Sequence, residues 1–201
     1  PPSGGILFDL TTVGPGYGKW YSRNLTPDSA TGLGGWTDGE IVQAVREGVR
    51  KDRKTLFPIM PIDWYPGMAD EDVLSVVAYL RSIPPVRNEV PDREPSFVAK
   101  ALFTFNILKP ADPITAPVTA PPPGVTPGYG RYLSNNLAEC ADCHTPRNLQ
   151  DGQFYFDSLF AGSSFAFGSD SDDPIQSFAR NITPDINTGI GSWTEEEFVT
   201  A

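Results

Sequence analysis

The stretch Cys140-Ala141-Asp142-Cys143-His144 determines how the rest of the chain is interpreted. Residues three and four apart are neighbours on a helical surface, so both thiols and the imidazole would share one face if the pentapeptide is helical. Three chemistries use such a set of side chains: a redox-active dithiol, a zinc site and the covalent attachment of haem.

Of these, the pattern favours haem. A thioredoxin-like dithiol is expected within a βαβ pattern, which the flanking sequence lacks. Zinc usually takes four ligands, and with two cysteines and one histidine this chain would need a carboxylate or a second chain. A buried, unreactive cysteine pair leaves the adjacent histidine unexplained. Cys-x-x-Cys-His is the signal for a c-type haem, which predicts Cys140 and Cys143 as thioether anchors and His144 as the proximal iron ligand.

Composition restricts the partners. The formal net charge of −10 argues against nucleic acid and anionic membrane surfaces as partners, and favours either a basic partner or simply a solvated acidic surface. No apolar run approaches the length of a membrane span. The 21 prolines and 19 glycines indicate a loop-rich protein, which a covalently held cofactor would help to stabilise.

An internal repeat organises the chain. Residues 24–44 and 181–201 share 12 identities in 21 aligned positions at an offset of 157, including Asn-x-Thr-Pro-Asp and the later Trp-Thr. The sequence therefore contains two copies of one unit. The same offset places a first haem motif near position −17 and a second methionine near position 217. We therefore expect the sequence to be a fragment of a longer one.

The segments around the repeat have clear helical signals. Capping boxes at Thr37-x-x-Glu40 and Thr194-x-x-Glu197 predict helix starts. Asp70 is predicted to cap another helix that ends before Pro84. Residues 91–127 are proline-rich and are predicted to form a semi-rigid connector, within which residues 97–108 are apolar enough to pack as a short helix.

The sixth iron ligand is predicted to be a methionine. The chain has no second histidine, and methionine is the other common axial ligand, one that raises the reduction potential. Met60 lies between two prolines in a loop between helices, where its sulfur could be presented to iron; the alternative is a packing role. By the repeat it would serve the haem of the first copy. Met68 is predicted to pack.

The segment 140–148 and the two repeated blocks that run from Asn-x-Thr-Pro-Asp to Trp resemble tandem class I c-type cytochromes. The resemblance is strongest to the multihaem cytochrome subunits of membrane-bound bacterial dehydrogenases. The likeness also includes 57–61 and 68–86, and it covers nearly the whole chain outside the connector. It implies an all-α fold of loop-rich, cytochrome c-like domains in tandem. The expected division is a first domain at 1–90 without its haem motif, a connector at 91–126, and a second domain at 127–201 without its methionine loop.

The resemblance also implies further haem contacts, with Met60 as the distal ligand of the preceding haem. Arg147 is implied as a propionate partner, with an ordinary surface arginine as the alternative. The two tryptophans could contact the ring or its propionates, or could equally belong to a hydrophobic core. The repeated Asn-x-Thr-Pro-Asp loops supply the remaining implied haem contacts. Together with the two tryptophans, the implied contacts in the repeat are Trp36, Trp193, Asn24, Asn181, Thr26 and Thr183.

The expected function is electron transfer by haem c, between a redox enzyme and another carrier, and not bond-making catalysis. One covalent haem site lies in this chain, and a second haem is expected from upstream sequence. The alternative is a dihaem peroxidase-like enzyme with an open iron site. Expected partners are a dehydrogenase subunit or terminal oxidase and other haem domains. Haem is attached to such motifs outside the cytoplasm, which implies the periplasm or the outer face of the inner membrane.

Overall fold

The computed structural model of the chain describes residues 2–57, 59–148, 150, 152–163 and 177–201. It divides into two compact units, Pro1–Leu137 and Ala138–Ala201. The strands are β1 (Leu7–Asp9), β2 (Gly18–Tyr21) and β3 (Glu94–Pro95), and the α-helices are α1 (Asp38–Glu47), α2 (Asp70–Ser82), α3 (Phe97–Thr104), α4 (Pro127–Tyr132), α5 (Cys140–His144) and α6 (Glu195–Thr200). Short 3₁₀ turns cover Tyr65–Gly67 and Phe156–Ser158, and a π-helical turn covers Leu133–Leu137.

The first unit contains a small antiparallel sheet in the order β1-β2-β3. Leu7 pairs with Tyr21, and Gly18 pairs with Pro95. Gly18 has a φ of +94°, and a Cβ there would overlap the carbonyl oxygen of Glu94. Glycine is therefore required for β3 to approach this closely.

The core beside this sheet is aromatic. Trp20 is only 5% exposed and packs with Tyr17 and with Ala99 of α3. Its ring stacks on Phe57 with centroids 4.1 Å apart, and Phe103 lies 6.2 Å away. Strand β2, helix α3 and the segment before Met60 therefore meet in one cluster.

The predicted helix signals are confirmed. In α1 the Thr37 hydroxyl accepts a hydrogen bond from the Glu40 N–H, and the Glu40 carboxylate accepts one from the Thr37 N–H. The same box opens α6. Helix α2 buries Val73 and Val77 and ends at Ser82 before the prolines, although Ala69, not Asp70, occupies its N-cap position.

One prediction needs correction. The all-α prediction did not include the sheet, because its pairing joins residues as distant in sequence as Lys19 and Glu94 and leaves no local pattern; a tandem cytochrome c-like fold stays a prediction. The division into domains at 1–90 and 127–201 with a connector at 91–126 also stays a prediction; the first compact unit extends to Leu137.

The connector packs along the first unit instead of standing away from it. Its Ala111 N–H donates to the Glu47 carbonyl over 2.9 Å, and the Val118 carbonyl accepts from the Asp70 N–H over 2.9 Å. The Ile114 N–H donates to the Glu47 carboxylate. Backbone hydrogen bonds of this kind depend on position and not on side-chain identity, so the proline-rich composition did not reveal them.

Candidate haem-attachment site

The pentapeptide is helical, which meets the condition for its thiols and imidazole to share one face. Helix α5 spans Cys140–His144 and follows Glu139, whose φ of 56° is left-handed and uncommon for a non-glycine residue. Both cysteines are free thiols; Cys140 is half-buried and Cys143 is exposed. Ala141, between them, is completely buried. Helical spacing therefore groups the two thiols and the imidazole within one turn.

A backbone carbonyl orients the His144 ring. Its Nδ1 lies 2.7 Å from the carbonyl oxygen of Arg180. A carbonyl only accepts, so Nδ1 carries the proton and Nε2 keeps the lone pair needed to bind a metal. The His144 carbonyl in turn accepts a hydrogen bond from Gly162 over 2.8 Å. This tautomer leaves Nε2 available to bind a metal.

Arg147, three residues after the pentapeptide, forms hydrogen bonds back to it. Its Nη2 donates to the carbonyl oxygen of Asp142 over 2.7 Å and to the Asp142 carboxylate over 3.1 Å. The guanidinium also lies 4.2 Å from the centroid of the Phe154 ring, within cation–π range. The structure thus gives Arg147 a role inside the loop, and its contact with a haem propionate stays a prediction.

Charge and burial affect two ionisable groups here. Burial raises the pKa of Glu139, and the Asp142 carboxylate raises it further. Although Cys143 is exposed by surface area, partial desolvation of its sulfur raises the pKa of the thiol, again with a smaller effect from Asp142. Both shifts favour the uncharged form.

The first Asn-x-Thr-Pro-Asp loop is held by its own side chains. The Asn24 side-chain oxygen accepts from the Thr26 N–H over 3.0 Å and from the Thr26 hydroxyl over 2.8 Å. The Asn24 Nδ2 donates to the Thr31 hydroxyl oxygen over 2.9 Å. The Asp28 carboxylate accepts from the Thr31 N–H and hydroxyl, each over 2.7 Å. These bonds lower the pKa of Asp28.

The second loop repeats this network. Asn181 accepts from the N–H and hydroxyl of Thr183 over 2.8 and 2.7 Å and donates to Thr188 over 2.8 Å. Asp185 accepts from the Thr188 N–H over 2.7 Å and from its hydroxyl over 2.9 Å. The repeat is therefore one of local structure as well as of sequence.

The two loops differ in their surroundings. Asn24 is 3% exposed and Thr26 is fully buried; the Asn24 Nδ2 donates to the Val86 carbonyl over 2.8 Å, and the Thr26 hydroxyl oxygen accepts from the Val86 N–H over 3.1 Å. Asn181 and Thr183 are half-buried. All four side chains hold their own loops, a role that the sequence analysis did not assign to them. Their predicted contact with haem stays a prediction.

A steric test of the loop is available in the first copy. A Cβ at Gly32 would overlap the Thr26 carbonyl oxygen. Gly32→Ala is therefore expected to destabilise the protein by about 1–3 kcal/mol, the usual cost of overpacking. The measurement is the midpoint of urea unfolding followed by circular dichroism.

Gly39→Ala is the matched control. A Cβ at Gly39 in α1 has no atom within 4 Å, so this change should stabilise the helix by up to about 1 kcal/mol. Gly189→Ala should act like Gly32→Ala on the second unit, because its Cβ would overlap the Thr183 carbonyl oxygen. Equal midpoints for Gly32→Ala and Gly39→Ala would contradict the steric account.

Neither predicted tryptophan contact belongs to a buried core. Trp36 is half-buried, and its carbonyl oxygen accepts from the Arg81 guanidinium over 2.5 Å. Trp193 is 46% exposed. Neither ring is fully buried, and the contact of each with haem stays a prediction.

The two methionines are in different environments. Met68 is 5% exposed and packs in the first unit, as predicted. Met60 is half-buried in a tight turn, in which its carbonyl accepts from the Ile62 N–H over 2.7 Å. Pro58 of the same loop lies outside the described residues. The role of Met60 as an iron ligand stays a prediction.

Within the described ranges, no group of three or more His, Cys, Asp and Glu side chains is arranged to hold a metal ion. The set available at the pentapeptide is two thiols and one imidazole, which is the set that haem attachment uses.

The chain is similar to several cytochrome c subunits of bacterial dehydrogenases. The chain is 34% identical to the fructose dehydrogenase cytochrome subunit of Gluconobacter japonicus over 90% of its own length and 36% of that protein. It is 30% identical to the cytochrome c subunit of the quinone alcohol dehydrogenase of Gluconobacter oxydans, over 91% of this chain and 38% of that subunit. The chain is a homologue of bacterial cytochrome c subunits.

A third cytochrome c homologue is the cytochrome c subunit of gluconate 2-dehydrogenase from Pantoea cypripedii, 31% identical over 90% of this chain and 41% of that subunit. The chain thus spans about two fifths of the length of the curated relatives it matches. No protein family model matches it.

The second unit of this cytochrome c homologue fits a haem. Among its described residues only two hydrophobic side chains are buried, Ala141 and Phe154. Large apolar side chains stay exposed instead, among them Tyr155 at 52%, Phe156 at 55% and Trp193 at 46%. A unit this small rarely stabilises itself without a metal or another staple, and a bound porphyrin would bury apolar surface of this kind.

None of the helices in the described part of the chain has the length and hydropathy needed to cross a lipid bilayer.

Sequence reasoning missed two features of the site. The Arg180 carbonyl that holds His144 is a backbone group, and nothing in the residue type identifies it as an acceptor. The repeat contains a weak signal, because Arg23 and Arg180 occupy matching positions before the repeated asparagines. The left-handed Glu139 has no sequence signature. The aromatic, Gly/Ser/Asp-rich segment 154–178 is predicted from sequence to wrap over the cofactor as a loop. Residues 164–176 of this segment lie outside the described residues.

Proposed function

We propose that this chain transfers electrons through one haem c covalently attached at α5. The observation that carries the proposal is the helical Cys140–His144 turn with Nδ1 of His144 donating to the Arg180 carbonyl. The cytochrome c relatives support electron transfer over the peroxidase-like alternative. When bound, the haem supplies an iron that alternates between the ferric and ferrous states.

The residues of the chain have separate tasks. Cys140 and Cys143 would hold the haem through thioether bonds to its two vinyl groups. His144 would offer Nε2 to the iron, while the Arg180 carbonyl holds Nδ1 on the other side of the ring. The hydrogen bond from Nδ1 of His144 to the Arg180 carbonyl raises the basicity of the imidazole and fixes its orientation.

A second haem belongs to the first copy of the repeat in this proposal. Its cysteines and histidine would precede Pro1, and Met60 would supply its distal ligand. Two such domains in tandem would pass electrons between a substrate-oxidising dehydrogenase and a further carrier, on the periplasmic side of the membrane. The relatives serve dehydrogenases for different substrates, fructose, alcohol and gluconate, so the proposal names a dehydrogenase and no particular substrate.

A redox titration with a ligand challenge tests this proposal. The protein is purified from a host that attaches c-type haem, and its haem content and spectra are recorded while the applied potential is varied. We expect covalent haem with reversible one-electron behaviour and no peroxidase turnover. Methionine-ligated iron should take up cyanide slowly, because the ligand must first dissociate. Rapid cyanide binding to all haems together with peroxide turnover would contradict electron transfer and favour the peroxidase.

A further inference from the structure

Helix α2 begins without a cap of its own. Its N-cap residue is Ala69, which has no side-chain group to accept a hydrogen bond. In α1 and α6 the corresponding residues are threonines that complete capping boxes. The first N–H groups of a helix need partners from outside it, so α2 depends on another segment for this.

Tyr132 of α4 provides hydrogen-bond partners for the N-terminal end of α2. Its hydroxyl accepts from the Ala69 N–H over 3.0 Å and donates to the carboxylate of Asp72. Asp72 occupies the N3 position of α2, where Glu40 of α1 bonds its own N-cap residue directly. The phenol therefore joins the N-cap N–H to the N3 carboxylate. Tyr132 is 6% exposed, and burial followed by the Asp72 hydrogen bond raises the pKa of Tyr132.

A second anchor lies four residues further along the chain. The Asn136 Nδ2, in the π-helical turn, donates to the Trp64 carbonyl over 2.6 Å. A Cβ at Gly67 would overlap this amide group, so glycine leaves the space that Asn136 occupies. Trp64 is itself 5% exposed. Asn136 and Tyr132 therefore form hydrogen bonds to the two ends of the segment Trp64–Asp72.

This segment is continuous with the turn at Met60. The Trp64 N–H donates to the Pro61 carbonyl over 3.0 Å, and the Met68 N–H donates to the Tyr65 carbonyl over 2.9 Å. Consecutive tight turns of this kind transmit position along the backbone, because each hydrogen bond fixes the dihedral angles between its ends. Trp64 is thus hydrogen-bonded to Pro61, the residue that follows Met60, and the Met60 carbonyl accepts from the Ile62 N–H between them.

We propose that Tyr132 and Asn136 are positioning residues that brace the loop presenting Met60. The inference rests on the proposed function, in which Met60 binds the iron of the first copy. In the predicted division, residues 127–137 begin the second domain, and in the structure they lie in the first compact unit. The helical segment that leads to one haem motif therefore stabilises the ligand loop of the preceding haem.

The test compares Tyr132→Phe and Asn136→Ala with wild type in the full-length holoprotein. Tyr132→Phe keeps the buried ring and removes only the hydroxyl, and Asn136→Ala removes the second anchor. Tyr129→Phe is the matched control, since Tyr129 is a half-buried tyrosine of the same helix that contacts the Tyr132 ring through its own ring. Two readouts are used: the rate of cyanide binding with the Fe(III)–S(Met) absorption band, and backbone amide exchange over residues 60–72.

Each anchor variant should speed cyanide binding about tenfold, the effect of losing one hydrogen bond to a buried or charged partner, with faster amide exchange over 60–72. The Tyr129→Phe control should match wild type in both. Cyanide rates equal to wild type in both anchor variants, with the methionine band intact, would overturn the bracing role alone. Absence of the methionine band in wild type would overturn Met60 ligation itself, and amide exchange would then show whether the brace exists without that ligand.

Discussion

Replacing Cys140 and Cys143 together with serine is expected to remove all covalent haem from the tryptic peptide Tyr132–Arg147. Serine preserves the size and helical setting of both residues, but its hydroxyl does not form a thioether with a vinyl group. Both thiols are free in the structure, so no disulfide competes with this chemistry. The measurement is peptide mass under denaturing conditions, where only covalently bound haem is retained.

The single variants are the controls for this experiment. Cys140→Ser and Cys143→Ser should each keep one thioether and show a shifted haem spectrum, because one vinyl group remains unsaturated. His144→Ala should keep the thiols but lose the proximal nitrogen that the Arg180 carbonyl now orients. Haem still bound covalently to this peptide in the double serine variant would refute the attachment site.

Trp20→Ala is expected to produce the largest loss of stability in the first unit, about 3–5 kcal/mol. Trp20 is 5% exposed, stacks on Phe57 at 4.1 Å, and donates from Nε1 to the Tyr17 carbonyl over 3.1 Å. Truncation leaves a cavity between the sheet and α3. Total stabilities of about 5–15 kcal/mol are typical, so much of the unit would unfold at moderate urea concentrations. Circular dichroism during urea titration measures this.

Two further variants separate burial from aromatic character. Trp20→Phe should keep much of the stack on Phe57 and lose clearly less stability. Phe97→Ala removes an aromatic side chain that is 85% exposed and should change the midpoint little, since surface substitutions usually stay within about 0.5 kcal/mol. A Trp20→Ala midpoint equal to that of Phe97→Ala would show that the cluster is not a folding core.

Short-range hydrogen bonds explain why the helix starts could be predicted from the sequence. Thr37 and Glu40 cap α1 through groups only three residues apart, and Thr194 and Glu197 cap α6 in the same way. Bonds this local depend almost entirely on the neighbouring sequence. The haem-attachment motif could also be recognised from sequence, because it consists of five consecutive residues.

Other parts of the site were not accessible to sequence reasoning. The side-chain amides of Asn24 and Asn181 bond to Thr31 and Thr188 inside their own loops, a role that residue type alone did not indicate. The Arg180 carbonyl that orients His144 is a main-chain group 36 residues away. Neither composition nor periodicity distinguishes such an acceptor from any other backbone carbonyl.

The sequence by itself determined the attachment motif, the two copies of the loop and the starts of α1 and α6, because each depends on residues within a few positions of one another. Only the tertiary structure decided the sheet, the course of the proline-rich connector and the use of Tyr132 as the cap of α2. Those features join residues such as Tyr132 and Ala69, distant in the chain. Such pairs meet only after the chain has folded, since their contact depends on the packing of every element between them.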